Sequence, residues 1–178
     1  MEPFFENDID WAGNPSPESA RFRQTFHPEN AFMSFHDSSI DGLFSSEAIE
    51  TADEALFERH ILKGPGTATI LPSDALDINI TFHFEETPPD LADPSWAHVA
   101  EGIIKIDSGK MLINEGDPMP LVAVRMNKGN YAFRVYFAKP VWLPEEDGDE
   151  DSQNLAIYFH KTQADESNEI IVLKQGAW

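Results

Sequence analysis

Short runs in which apolar and polar residues alternate dominate the chain after Gly66. This alternation has the two-residue period of a β-strand with one buried face. Turn-forming Gly, Asp and Pro residues separate the runs. The sequence therefore predicts a mainly β protein, a β-sandwich or barrel of about eight or nine short antiparallel strands, of which we expect the sandwich. The clearest run places one set of side chains on a single face: Leu76, Ile78, Ile80, Phe82 and Phe84.

Two pairs of runs are separated by very short turn segments. Trp96–Ile106 and Lys110–Asn114 flank Asp-Ser-Gly, and Leu121–Met126 and Tyr131–Ala138 flank Asn-Lys-Gly-Asn. Gly, Asn and Asp tolerate the backbone angles of tight turns. We therefore expect each pair to form a β-hairpin.

One segment before the strands has helical spacing. Ser45 and Ser46 suit a helix N-terminus, and Ile49, Ala52, Leu56 and Phe57 follow at near-helical intervals. The sequence predicts one early amphipathic helix that covers an end or an open face of the sheets.

The chain length suggests one domain with an arm. Residues 1–30 show neither period and contain four prolines, yet they also contain Trp11 and four phenylalanines. We expect an irregular N-terminal arm over residues 1–30, whose aromatic side chains pack on the domain or on a partner. Residues 31–178 form the predicted β-sandwich domain.

The charge limits the classes of partner. The chain has 12 basic and 32 acidic residues, a formal net charge of −20. Residues 1–104 alone carry 20 carboxylates against four basic side chains. Such a field repels nucleic acids and anionic lipids, and it attracts cationic proteins. The alternative is that the charge serves solubility alone.

Several classes of site and location are disfavoured by what the sequence lacks. It contains no cysteine, which excludes disulfides, thiolate metal sites and a cysteine nucleophile. It shows no signal peptide and no apolar stretch of about 20 residues. We expect a cytoplasmic protein with no membrane partner, and a homodimer remains open.

No catalytic constellation is evident. The six histidines are scattered, without the spacing of a zinc site, and Gly64-Pro65-Gly66-Thr67 lacks the lysine of a phosphate-binding loop. The sequence therefore predicts a protein that is not an enzyme and has no metal or cofactor. A metal-dependent enzyme whose ligands meet only in the folded chain is the competing hypothesis.

Residues 145–151 hold six carboxylates in seven positions. Three interpretations are open: a calcium site, although the spacing of a calcium-binding loop is absent; a mimic of phosphates that occupies a basic groove; or a solvated insertion. We take these residues and the acidic side chains of the predicted helix as candidate partner contacts: Glu145, Glu146, Asp147, Asp149, Glu150, Asp151, Glu47, Glu50, Asp53, Glu54 and Glu58.

Four stretches between about Phe35 and Lys161 resemble a known family. They are Ser34–Asp37 with Gly64–Ile70, Leu76–Thr81, Trp96–Glu101 with Ser108–Ile113, and Gly129–Val135. These stretches are similar to the bacterial β-sandwich proteins related to competence protein J, the inhibitor of a DNA-entry nuclease. The resemblance implies that Trp96 and Tyr131 fill the space between the sheets.

That resemblance also implies a function, inhibition of a nuclease. We therefore expect an immunity protein that binds and neutralises a basic toxin, such as a nuclease effector of a type VI-like or polymorphic system. The alternative is a non-catalytic ligand-binding or scaffolding module, in which exposed aromatic residues such as Trp11, Trp142 and Trp178 stack on sugars or peptides.

Overall fold

The computed structural model describes residues 9–12, 21–26, 32–40, 58–73, 77–114, 120, 122–142 and 151–176. Every regular element within those ranges is a strand, which confirms the mainly β prediction. The strands are Ile9–Asp10 (β1), Arg21–Phe26 (β2), Met33–Asp37 (β3), Ile61–Gly64 (β4), Thr67–Ile70 (β5), Asp77–Phe84 (β6), His98–Ile106 (β7), Lys110–Asn114 (β8), Val122–Arg125 (β9), Gly129–Phe137 (β10), Ser152–Thr162 (β11) and Ser167–Lys174 (β12).

The strands form two six-stranded sheets. The first sheet has the order β1-β9-β8-β3-β5-β4, and the second has the order β12-β7-β10-β11-β6-β2. Their apolar faces meet in one core, where the ring of Phe35 lies 5.1 Å from Phe133 and 5.3 Å from Phe159. Two facing sheets around a single core are the arrangement expected of a β-sandwich.

The alternation of side chains is confirmed where the structure describes it. Ile78, Ile80, Phe82 and Phe84 of β6 are all buried in the core between the sheets. The inward residues of β10, from Tyr131 to Phe137, are buried in the same core. Each fully buried large apolar side chain stabilises the fold by about 1.5–3 kcal/mol. The period of two therefore identified the buried faces correctly.

The predicted number and direction of strands are wrong. The described residues hold twelve strands, and two neighbouring pairs are parallel: β1 with β9, and β6 with β11. Parallel neighbours require a long crossover. Between β6 and β11 the chain forms β7, β8, β9 and β10, so their pairing depends on contacts far apart in sequence.

Both predicted hairpins are also wrong. β7 lies in the second sheet and β8 in the first, and β9 and β10 are divided in the same way. The two short segments are therefore corners that carry the chain from one sheet to the other. Gly109 and Gly129, at φ of 78° and 144°, supply the left-handed backbone that these corners need. A turn signal predicts a change of direction but not which strand becomes the neighbour.

The predicted arm contains two strands. β1 pairs with β9 and β2 pairs with β6, so both sheets gain a strand from residues 1–30. Trp11 is buried, and its ring centroid lies 4.6 Å from Phe84 and 5.3 Å from Tyr131. The boundary between an arm over 1–30 and a domain over 31–178 stays a prediction.

The predicted helix lies outside the described residues, except for Glu58, which is part of a turn before β4. In the described part of the chain, no helix has the length and apolar character needed to cross a bilayer.

Candidate partner-binding surface

Two of the eleven predicted contact residues fall within the described structure. Glu58 is exposed, and its backbone oxygen accepts a hydrogen bond from Gln175. Asp151 is half-buried just before β11, and its backbone oxygen accepts from the amide of Asp77 at 2.9 Å. The remaining nine lie outside the described residues: Glu47, Glu50, Asp53, Glu54, Glu145, Glu146, Asp147, Asp149 and Glu150.

Glu58 and Asp151 lie at the same end of the second sheet. At this end β6, β7 and β11 begin, and β10 and β12 finish. The oxygen of Arg59, next to Glu58, contacts His98 at the start of β7. We call this the Trp142 end, because Trp142 follows β10 there.

Basic side chains gather at the opposite end, which we call the lysine end. It contains both corners between the sheets and six of the twelve basic residues of the chain: Lys63, Lys105, Lys110, Arg125, Lys128 and Lys161. Carboxylates accompany them, with Asp107 3.1 Å from Lys105 and Asp10 3.5 Å from Arg125. Counting Asp37, Glu85, Asp165 and Glu166 as well, six described carboxylates lie at this end, so its described charges balance.

An acidic loop crosses the outer face of the second sheet. Residues 85–97 connect β6 to β7, and β11 and β10 lie between those two strands in the sheet. The hydroxyl of Tyr136, on the outer face of β10, donates to the oxygen of Pro89 at 2.9 Å. The loop contains four carboxylates and no lysine or arginine: Glu85, Glu86, Asp90 and Asp93.

Local hydrogen bonds hold this loop in shape. The carboxylate of Asp90 accepts from the amide of Ala92 at 2.8 Å, and that of Asp93 accepts from the amide of Ser95 at 2.9 Å. The Ser95 bonds favour the charged form and lower the pKa of Asp93. Sequence reasoning missed this loop as a surface. Three prolines among four carboxylates were its only signal in the sequence.

Trp96 also lies in this crossing loop, which corrects an expectation. Its ring packs edge-on against Tyr136 at 5.4 Å, on the outer face of the second sheet. Tyr131, by contrast, lies between the sheets as the resemblance implied. Trp96 therefore fastens the loop to the sheet and does not fill the main core.

A row of polar and aromatic side chains runs across the outer face beneath the loop. The guanidinium of Arg134 donates twice to Glu101, at 3.0 and 2.8 Å. His83 stacks on Tyr158 with a centroid distance of 4.2 Å, and its Nδ1 lies 2.8 Å from Glu86. These strands and the loop enclose a small pocket, lined by Pro88, Glu101, Ala132, Phe133, Arg134, Tyr158 and His160.

Two further polar groups tie the fold together near the lysine end. Glu166, before β12, accepts from Lys63 at 2.8 Å and from the amide of Gly66 at 2.7 Å, which joins the two sheets. Burial of Asp37 raises its pKa, but hydrogen bonds from Ser108 and Ser39 outweigh burial, so the pKa is lowered. These contacts stabilise the structure.

Two histidines pack together at the Trp142 end. His98 is fully buried, with its ring 4.9 Å from that of His60. Burial, with a smaller contribution from His60, lowers the pKa of His98 to about 4. Its Nε2 lies 3.2 Å from the oxygen of Arg59, and the amide of Gly176 faces Nδ1 at 3.4 Å. A neutral ring that donates through Nε2 fits both contacts.

Over the ranges the structure describes, no group of three or more His, Asp or Glu side chains is placed to hold a metal ion. The expectation of a protein without metal or cofactor stays a prediction.

Two solved structures match this chain. One is the crystal structure of ComJ, inhibitor of the DNA degrading activity of NucA, from Bacillus subtilis. It superposes with a TM-score of 0.60 and 9% identity, over 79% of this chain and 96% of ComJ. The other, of crocagin biosynthetic gene J, superposes with a TM-score of 0.40 and 12% identity, over 77% of this chain and 95% of its own.

The likeness to ComJ shows that this chain has the same fold. No family model matches the sequence, and no curated protein matches it.

Proposed function

We propose that this chain is an immunity or inhibitor protein that binds and neutralises a basic toxin of the nuclease class. The observation that carries the proposal is the fold that it shares with ComJ, an inhibitor of DNA degradation. The net charge of −20 supports it independently, because a nuclease that holds DNA presents basic side chains. The toxin belongs, in this proposal, to a type VI-like or polymorphic system.

The inhibitor acts by binding and not by chemistry. Its carboxylates take the place of phosphates on the basic surface of the nuclease, with residues 145–151 and the acidic side chains of residues 47–58 as the proposed contacts. Opposite charges speed the encounter of two proteins. Rapid capture in the cytoplasm protects the DNA of the cell.

We expect a basic nuclease to be encoded beside the gene for this chain, and the test uses that protein. We expect the two purified proteins to form a one-to-one complex, in which DNA cleavage falls in proportion to the inhibitor added. Co-expression should restore growth to cells that produce the nuclease. Failure to bind, and failure to protect against every neighbouring toxin, would overturn the proposal.

A second candidate function, a non-catalytic ligand-binding or scaffolding module, has one observation in its favour. The pocket beneath the crossing loop presents Arg134, Tyr158 and His160 beside Pro88. Aromatic faces with a few fixed polar groups are typical of small ligand sites. A glycan and peptide array would test it, and binding that Tyr158→Ala abolishes would favour this function over inhibition.

A further inference from the structure

The two most exposed large apolar side chains of the described residues are neighbours. Val141 is 51% exposed and Trp142 is 54% exposed, ahead of Ile171 at 48% and Leu91 at 37%. A half-exposed tryptophan forgoes part of the stabilisation that full burial of its ring would contribute. Single exposed apolar residues are common on protein surfaces, but an adjacent valine and tryptophan form a small apolar patch.

This patch is held on a fixed backbone. Val141 and Ser152 exchange two backbone hydrogen bonds, at 2.7 and 3.0 Å. Just before it, the amide of Ala138 donates to Asn154 at 2.9 Å, and the Gln153 side chain donates to the oxygen of Ala138 at 2.8 Å. The start of β11 therefore fixes the segment that presents Trp142. A partner that binds it loses little backbone entropy from this side.

The patch lies between an exposed lysine, Lys139, and a long stretch of sequence in which every charged side chain is negative. From residue 140 to residue 160 the chain contains no lysine or arginine, and it contains all six carboxylates of residues 145–151. Asp151 lies one residue from Ser152, and its backbone oxygen binds the amide of Asp77. Five carboxylates stand in sequence between Trp142 and Asp151. The lysine end lies at the opposite pole of the sheets.

We propose that the Trp142 end is the surface that docks a cationic protein, with Val141 and Trp142 as its apolar centre. This inference rests on the proposed function and names the surface that carries it. Tryptophans buried at the centre of an interface are frequent energetic hot spots, and their indole faces also bind lysine and arginine side chains. The carboxylates that follow Trp142 in the sequence complement the basic surface proposed for the nuclease and speed its approach.

The test compares Trp142→Ala with Ile171→Ala, since both residues are about half exposed and both are apolar. Inhibition of DNA cleavage by the nuclease encoded beside this gene is titrated for the unchanged protein and for each variant. We expect Trp142→Ala to weaken the inhibition constant about 30-fold or more, which is the effect of a hot-spot residue. Ile171→Ala should change it by less than about threefold. Circular dichroism and thermal melting verify that both variants fold.

Cross-linking gives a second readout that does not depend on a truncated side chain. A photoreactive phenylalanine analogue is placed at position 142 or, as the control, at position 128 at the lysine end. We expect a covalent adduct with the nuclease from position 142 and none from position 128.

The possible failures are distinguishable. If the unchanged protein does not inhibit the nuclease, the proposed function falls and this inference falls with it. If it inhibits and Trp142→Ala inhibits equally well, only the docking surface is wrong. If Trp142→Ala instead converts a dimer to a monomer in sedimentation while inhibition is unchanged, the patch joins two copies of this chain, which also overturns the inference.

Discussion

The two ends of the sandwich differ in how their polar groups are used. At the lysine end two tight corners carry the chain between the sheets, and Glu166 and Asp37 bind backbone amides and a buried lysine. At the Trp142 end an apolar patch is exposed to water, and a run of carboxylates follows it in the sequence. The polar groups at the lysine end stabilise the fold, whereas the Trp142 end leaves apolar surface available to another molecule. Substitutions of the buried polar groups at the lysine end should therefore change folding, and substitutions in the exposed patch at the Trp142 end should change binding.

The largest expected effect on folding is at the lysine end. The Lys63 side chain is fully buried, and Glu166 is its carboxylate partner at 2.8 Å. Glu166→Ala leaves that ammonium group buried without its counter-charge, so we expect the free energy of unfolding to fall by about 3 kcal/mol. Urea denaturation measures the change.

The matched control is Glu169→Ala, which removes an exposed carboxylate close by in β12 and should change the free energy of unfolding by less than about 0.5 kcal/mol. Adding Lys63→Met to Glu166→Ala should recover much of the loss, because no charge is then buried. Equal losses from Glu166→Ala and Glu169→Ala would show that the tie between the sheets contributes nothing.

The next effect depends on pH and arises at the Trp142 end. The pKa of His98 is about 4 in the folded protein, against about 6.5 for an unfolded chain. Between these values the unfolded state binds a proton that the folded state does not, so His98 contributes stability above pH 6.5 that is lost as the pH falls toward 4. From pH 7 to pH 5 we expect a loss of about 2 kcal/mol.

His98→Gln isolates this contribution, since glutamine keeps a donor for the Arg59 oxygen and does not titrate. Its unfolding free energy, followed by chemical denaturation at each pH, should vary less between pH 7 and pH 5 than that of the unchanged protein. Identical pH profiles for the two proteins would remove His98 as the cause.

A smaller effect concerns the rate of association. Replacing the carboxylates of residues 145–151 by amides should slow binding of the nuclease about tenfold and flatten its dependence on salt. Stopped-flow fluorescence at several ionic strengths measures both. The control, Asp107→Asn with Asp165→Asn near the lysine end, should leave the rate unchanged. If neutralising residues 145–151 has no effect, the steering charges belong to Glu47, Glu50, Asp53, Glu54 and Glu58.

The sequence predicted the faces of the strands but not their neighbours. Alternation in β6 and β10 identified which side chains enter the core, because a strand buries every second residue wherever it lies. Asp107–Gly109 marked a reversal correctly, yet β7 and β8 enter different sheets. That choice depends on β10 and β12 beside β7 and on β3 and β9 beside β8, and of these neighbours only β9 follows closely in the sequence.

The candidate surface was harder to read from the sequence. Val141 and Trp142 belong to an apolar run of the kind that usually enters a core, and only the bridge to Ser152 reveals that they face water. The position of the acidic loop of residues 85–97 could not be predicted for a related reason. It depends on the order of the strands that the loop crosses. Charge and composition pointed to a cationic partner, but exposure is a property of the folded chain.

The smallest expected effect tests the outer face between the two ends. Arg134 and Glu101 form a paired contact, but both side chains remain 31% exposed. Solvent screens the charges, so Glu101→Gln should lower the free energy of unfolding by only about 0.5–1 kcal/mol, measured from the urea midpoint at unchanged slope. A double-mutant cycle with Arg134→Met separates the pair from its surroundings. A coupling energy above about 2 kcal/mol would mean that the Arg134–Glu101 pair stabilises the outer face as strongly as a buried pair. The division between a stabilising end and a binding end would then no longer describe the molecule.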